Sequence, residues 1–250
     1  MLSPSEKIKL ELDGYLILSD YFSGDFISTL TDSIMSVIEG LASSLELDEE
    51  LDFSDCDEVD EALVKLLSSH PKLQSTLYDR LQQIPALLAV PGHNSITKLA
   101  SEILSSSRLG VWPRMQLRMD LPGDSENVIN WHNDYIYNKG TSSSYTFWFP
   151  LVSMNDETGY LDFAKGSHSV SSEISYEMMG PEHKFKIKLP EKTLTDFNIV
   201  TPKPSVGDLV VFHSQTWHTG KLNTSKNKAR LSGLFRMQNL NALELENVIK

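Results

Sequence analysis

Two short stretches carry the residue types best suited to chemistry. Trp131-His132-Asn133-Asp134-Tyr135 sets an imidazole and a carboxylate two residues apart, and a second imidazole, His218, comes much later in Trp217-His218-Thr219-Gly220. In an extended segment, side chains two apart share a face, so His132 and Asp134 can point at one ion. His218, returned on a neighbouring strand, would complete a face of two nitrogens and one carboxylate oxygen with other coordination positions open. That donor set suits a ferrous ion engaged in oxygen chemistry. His132, Asp134 and His218 are therefore the candidate metal ligands.

Arg230 stands twelve residues beyond His218. A guanidinium grips a carboxylate through two parallel hydrogen bonds. A dicarboxylate could thus chelate the metal at one end and meet Arg230 at the other; the alternative is an ordinary exposed arginine. Arg236, six residues further on the same strand, is the reserve candidate. His213 ends an apolar run and is an alternative ligand. His168 follows Gly166-Ser167 and either shapes a turn or lines a pocket. His93 and His183 read as surface residues. Cys56 lies among Asp55, Asp57 and Glu58, which disfavour a thiolate, so no nucleophile is assigned to it.

The elements that must position these groups change character near residue 108. Before it the pattern is helical. Ser3-Pro4-Ser5-Glu6 has the form of a capping box with proline in the first turn, and Gly14 ends that helix. Tyr15 to Leu18 is a short apolar strand. Ser23 or Asp25 then caps a longer helix with Phe26, Ile27, Leu30, Ile34, Val37, Ile38 and Leu41 at helical spacing. His70-Pro71 divides two further helical stretches, and another covers Ser95 to Leu104. After Leu109 short β-rich runs follow, at about 109–120, 128–136, 144–152, 160–164, 184–189, 196–201, 208–213 and 229–237. Eight such strands in two sheets make a jelly roll. The expected fold is mainly β: a cupin-like double-stranded β-helix with a helical N-terminal region packed on one sheet. No linker or repeat divides the chain. One domain is expected over 1–250, with a helical buttress at 1–107, a catalytic core at 108–238 and a tail at 239–250.

The formal charge of −12 argues against a nucleic-acid partner, which would need a basic footprint. It also disfavours anionic membrane surfaces, and no apolar run reaches the roughly eighteen residues of a membrane span. The single cysteine excludes an intramolecular disulfide and favours a reducing, cytoplasmic setting. The terminal residues match no targeting signal. Ten carboxylates without a Lys or Arg between Glu46 and Glu61 lack the central glycine of a calcium loop and read as a solvated, mobile segment.

The chain resembles the phytanoyl-CoA dioxygenase family of Fe(II)/2-oxoglutarate oxygenases. The residues that carry the resemblance run in the family's order. Asp13-Gly14-Tyr15-Leu16-Ile17 opens it, followed by Trp131-His132-Asn133-Asp134, then Gly159-Tyr160-Leu161-Asp162-Phe163-Ala164-Lys165-Gly166-Ser167-His168. Gly207-Asp208-Leu209-Val210-Val211-Phe212-His213 comes next, and Trp217-His218-Thr219-Gly220, Asn223, Ser225 and Arg230 close it. The resemblance implies iron on His132, Asp134 and His218, with the distal carboxylate of 2-oxoglutarate on Arg230. It further implies O2 as co-reactant, succinate and CO2 as by-products, and a small-molecule substrate that is hydroxylated. Members that halogenate carry a small residue where this chain has Asp134, so oxygen transfer is implied over halide transfer.

Some positions depart from the family. Many members place a serine two residues after the distal histidine; here the hydroxyl sits one residue earlier, on Thr219, so either Thr219 substitutes as a cosubstrate contact or the role has moved. Trp148 either packs beside the cosubstrate or belongs to the core. Arg114, Gln116 and Arg118 share one strand face, which is either a polar pocket wall or a solvated outer face. Tyr135 and Tyr137 are placed at the pocket mouth, and the loops Asn138 to Ser144 and Ser169 to Lys184 are candidate lids. The segments Lys184 to Lys192 and Lys221 to Lys228 are basic, and either solvated loops or a rim that would suit phosphates. Two other functions stay open on residues alone: a cupin-like metal enzyme without 2-oxoglutarate, which has no use for Arg230, and a non-catalytic jelly-roll binding module. The substrate's identity and the oligomeric state are not read from the sequence.

Overall fold

The computed structural model describes residues 1–44, 52–137, 141–179, 187–190 and 193–241. His183, the acidic residues at 46–51, the side chain of Arg114 and the tail beyond 241 lie outside the described residues. So do parts of the candidate lids and of the basic segment Lys184 to Lys192.

The N-terminal region forms as its caps and periodicity dictate. Helix α1 (Pro4–Asp13) has the full capping box: Glu6 N donates to Ser3 Oγ at 3.3 Å and Ser3 N donates to Glu6 Oε2 at 2.6 Å. Gly14, at φ 77°, ends it in the left-handed region; a Cβ there would lie 2.5 Å from His168 Nδ1, so both backbone and space require glycine. Strand β1 (Tyr15–Leu18) follows, then α2 (Gly24–Ser44), α3 (Val59–Ser69), α4 (Gln74–Leu81), α5 (Pro85–Ala89) and α6 (Asn94–Ile103). His93, read above as an ordinary surface residue, caps α6 by accepting the Ser95 amide on Nδ1.

The acidic stretch is not uniformly solvated. Asp60, on the first turn of α3, is fully buried, and both its carboxylate oxygens lack a hydrogen-bond partner among the described residues.

The second region supplies β2 (Leu109–Asp120), the single helical turn α7 (Asp134–Tyr137), β3 (Tyr145–Pro150), β4 (Leu161–Ala164), β5 (Glu177–Met178), β6 (Ile187–Lys188), β7 (Ile199–Val200), β8 (Leu209–His213), β9 (His218–Gly220) and β10 (Arg230–Asn239). Five strands form an antiparallel sheet in the order β1-β8-β3-β10-β2; β7-β4-β9 form a second sheet, and β5 and β6 pair apart. The architecture is thus antiparallel sheets with a large helical part, not mainly β, because regular strands other than β1 begin only at Leu109. The run 128–136 is not a strand. His132 makes an isolated bridge to His218, and the chain then coils into α7.

Alternation divides the five-stranded sheet into two unlike faces. Met115, Leu117, Met119, Phe147, Phe149, Leu209, Val211, Leu231, Phe235 and Met237 share one core cluster with the apolar faces of α2, α3, α4 and α6. Gln116, Arg118 and Asp120 on β2, Thr146 and Trp148 on β3, Phe212 on β8, and Arg230, Ser232, Leu234 and Arg236 on β10 line a cavity. β10 alternates without interruption along β3, which keeps both arginines on that face, while its pairing with β2 shifts between Leu234 and Arg236, where β2 carries the extra residues. The helices therefore support the rear of the wall that carries the polar groups. No described helix is long and apolar enough to cross a membrane.

Candidate metal centre

The two histidines are brought together by backbone pairing. His132 N donates to His218 O at 2.9 Å, and His218 N donates to His132 O at 2.8 Å. Residues that exchange both hydrogen bonds in an antiparallel pair put their side chains on one face, and the imidazole centroids lie 4.2 Å apart. His132 Nδ1 is 2.7 Å from Asn130 O, and His218 Nδ1 is 3.0 Å from Thr216 O. A carbonyl only accepts, so each Nδ1 carries the proton and each Nε2 offers a lone pair.

Asp134 reaches the same spot from the first position of α7. Asn133 sets the turn: its Oδ1 accepts the Ile136 amide at 3.1 Å, and its Nδ2 donates to Ser171 Oγ at 2.9 Å. Asp134 Oδ1 lies 3.9 Å from His132 Nε2, and ligand atoms of His132, Asp134 and His218 all fall within 4.8 Å of one another. The three are buried. Burial holds both imidazoles well below their ordinary values, His132 at about 3 with His218 adding to the effect, so both are neutral. Burial alone would raise Asp134, but the charge and hydrogen bond of Arg236 outweigh it and hold the carboxyl well below the usual range. Two neutral imidazoles with free Nε2 and one ionised carboxylate, converging on one face, form a donor set that fits a single divalent ion.

Two arginines of β10 meet this cavity at its two ends. Arg236 Nη2 donates to Asp134 Oδ1 at 2.6 Å, and its Nη1 donates to Gln116 Oε1 at 3.3 Å. Its cross-strand neighbour Thr146 donates to Asp134 Oδ2 at 2.5 Å. At the other end Arg230 is buried against Asp120: Nε donates to Oδ2 at 3.1 Å, and Nη2 lies 3.1 Å from the same oxygen. Arg230 Nη1 donates to Thr158 O and Lys221 O at 3.3 and 3.1 Å. Arg118 takes the second oxygen, Asp120 Oδ1, at 3.0 Å. Two cations outweigh burial there and lower the Asp120 pKa. Gly159 and Gly220 leave room for the Arg230 guanidinium; a Cβ on either would lie 3.1 Å from an Nη atom.

The expected fork of Arg230 is therefore not open as anticipated. Its Nε and Nη1 donors are spent on the protein, leaving Nη2 with donor capacity. Beside it, the Ser232 hydroxyl is buried without a partner among the described residues.

The cavity measures about 700 Å³, and Trp148, Gln116 and Arg118 line it together with the three candidate ligands and both arginines. Three expectations are corrected. Thr219 is turned away between His218 and Gly220, its hydroxyl donating to Ile129 O at 3.1 Å. His168 lies outside the cavity, its Nε2 3.0 Å from Glu11 O. Tyr135 is not part of the lining, whereas Tyr137 is. The alternative ligand His213 stands apart as well, 5.3 Å from the His168 ring, with its pKa lowered to about 4 by burial and by His168. Asp120, Thr146 and Ser232 were missed, although each lies two residues from a residue already singled out on the same strand face.

The chain matches the family model described as phytanoyl-CoA dioxygenase over residues 10–231. Solved structures share the fold at low identity. EctD from S. alaskensis, crystallised with 2-oxoglutarate and 5-hydroxyectoine, is 16% identical, with a TM-score of 0.63 over 96% of this chain and 77% of that one. SnoK, a non-heme alpha-ketoglutarate-dependent carbocyclase from nogalamycin biosynthesis, is 19% identical, with a TM-score of 0.57 over 95% of this chain and 84% of that one. AviO1 from Streptomyces viridochromogenes Tue57 is 14% identical, with a TM-score of 0.58 over 96% of both chains. No curated protein matches at the sequence level. The family match takes in both histidines, Asp134 and Arg230 and runs through nearly the whole described fold, and on that ground the chain belongs to the phytanoyl-CoA dioxygenase family.

Proposed function

We propose that this protein is an Fe(II)- and 2-oxoglutarate-dependent oxygenase that hydroxylates an unactivated C–H bond of a small molecule, with 2-oxoglutarate converted to succinate and CO2. The observation that carries the reading is the convergence of two free imidazole Nε2 atoms and the Asp134 carboxylate on one wall of a cavity. His132, Asp134 and His218 would hold the iron. Once bound with 2-oxoglutarate, the metal supplies dioxygen activation coupled to decarboxylation. The Nδ1–H bonds to Asn130 and Thr216 fix both ring orientations and keep Nε2 unprotonated. Arg230 Nη2, the Ser232 hydroxyl and Arg118 are suited to the carboxylate remote from the metal, a refinement of the single-arginine clamp. Trp148, Leu161, Phe212 and Leu234 supply apolar walls that exclude water.

Asp134 supports oxygen transfer over halogenation, since its carboxylate takes the place a halide would need. The carbocyclase among the structural relatives marks product analysis as essential. We read the two sheets as a double-stranded β-helix and the chain as one domain. A cytoplasmic setting belongs to the same proposal and is supported by the free Cys56.

The test is anaerobic addition of Fe(II) and 2-oxoglutarate, followed by O2. A metal-to-ligand charge-transfer band and then succinate are expected. Absence of both sinks the proposal. Asp134→Ala should remove iron binding, whereas Arg230→Gln should weaken 2-oxoglutarate and spare iron.

A further inference from the structure

Arg236 occupies an unusual place for a cation. Its Nη2 lies on Asp134 Oδ1, the oxygen that also faces His132 Nε2. A guanidinium on that atom and a divalent ion held by that atom oppose each other, and burial strengthens the opposition. The arginine is also lightly anchored elsewhere. Its Nη1 reaches only Gln116 Oε1, at 3.3 Å, and its buried Nε has no partner among the described residues. Asp134, by contrast, keeps a second donor in Thr146, so the carboxylate stays oriented if the arginine leaves. A metal-free centre is neutral as a pair, one guanidinium against one carboxylate. Adding a divalent cation leaves buried positive charge in excess, which is costly until an anion enters.

We propose that Arg236 is an exchangeable partner of Asp134. It neutralises the ligand carboxylate before the metal arrives and passes to the metal-proximal carboxylate of a 2-oxo acid afterwards, so that metal and cosubstrate bind cooperatively through this side chain. The inference rests on the Fe(II)/2-oxoglutarate reading and extends it. Arg230 cannot serve in the same way, because Asp120 and two backbone carbonyls hold it in place.

The test measures Mn(II) affinity from the free-ion EPR signal, without turnover, in the full chain with and without 2-oxoglutarate. Wild type, R236Q and R236K are compared. Chelation alone gives every variant some enhancement by 2-oxoglutarate, so the informative quantity is the difference between variants. R236Q should bind Mn(II) alone several-fold more tightly than wild type and lose about 10-fold of the enhancement, within the usual range of coupling energies. R236K should keep the weaker metal binding and lose part of the enhancement. Weaker Mn(II) binding by R236Q with the enhancement intact would make Arg236 a structural strut and overturn the proposal. If R236Q does not fold, R236K decides: an enhancement reduced at least about threefold supports the exchange, and an unchanged one overturns it. If wild type binds Mn(II) and 2-oxoglutarate together but the variants match it, only this inference falls. If wild type shows no 2-oxoglutarate effect at all, the enzyme reading falls with it.

Discussion

The two ends of the cavity solve one problem differently. Each buries a carboxylate against an arginine of β10. At the remote end Asp120 takes Arg118 on one oxygen and Arg230 on the other, and Arg230 is further held by Thr158 and Lys221 carbonyls. At the metal end Asp134 takes Arg236, whose other donors are largely unspent. A third buried carboxylate, Asp60 in the helical buttress, has no arginine partner among the described residues. Burial, followed by the Glu58 charge, raises its pKa to about 6 against the opposing charge of Lys228. The series shows that burial does not decide the charge state of a carboxylate; the donors around it do. A saturated pair is a fixture, a half-saturated pair is available for exchange, and an unpaired group is a stability cost.

The comparison can be broken first at the metal end. His218→Ala should lower Fe(II) affinity by more than about 100-fold, beyond the usual loss for a group that only supports a ligand. The thermal midpoint should change little, and calorimetric titration beside a melt separates the two effects. The next largest effect belongs to the saturated end. Asp120→Ala leaves Arg118 and Arg230 without their buried counter-charge and should cost about 3–5 kcal/mol in urea unfolding. R236Q should cost clearly less, and equal losses would show that the two ends are built alike.

Asp60 sharpens the contrast through pH. Its folded pKa of about 6 stands above the ordinary carboxylate value, so the folded state holds the proton more tightly than the unfolded chain. Stability tied to this group is therefore full below about pH 4, falls as pH rises towards 6, and stays reduced above. Asp60→Asn should gain about 1–3 kcal/mol at pH 7.5 and nothing at pH 4. A gain that is the same at both pH values would rule out ionisation as its source. The smallest effect is steric. Gly220→Ala puts a Cβ 3.1 Å from Arg230 Nη2. It should raise the 2-oxoglutarate KM several-fold, about 1 kcal/mol, and leave metal affinity unchanged.

Much of this was legible in local pattern. The Ser3 capping box, the alternation in β2, β8 and β10, and the apolar spacing of α2 need only neighbouring residues to state them. His132, Asp134 and His218 could be selected because few residue types ligate metals, Arg230 because a guanidinium twelve residues beyond His218 can fork a carboxylate, and Gln116 and Arg118 because polar groups two apart on a strand face need either a shared pocket or water. The expected strand at 128–136 failed because Asn133 caps a helical turn, so Asp134 reaches the metal position from α7. Thr219 was misplaced because its face follows from the His132–His218 bridge, and no neighbouring residue reveals that pairing.

The sequence by itself determined which side chains can donate, accept or ligate, and which share a face within one element, since helix and strand periods follow from local backbone geometry. Only the tertiary structure decided how those donors are spent. Arg236 meets Asp134, and Asp120 takes up Arg230, across more than a hundred residues of chain. Such pairings depend on strand register and on the irregularity of β2 opposite Leu234 and Arg236. Register is set by the packing of whole faces against one another, and no short stretch of the chain contains that information.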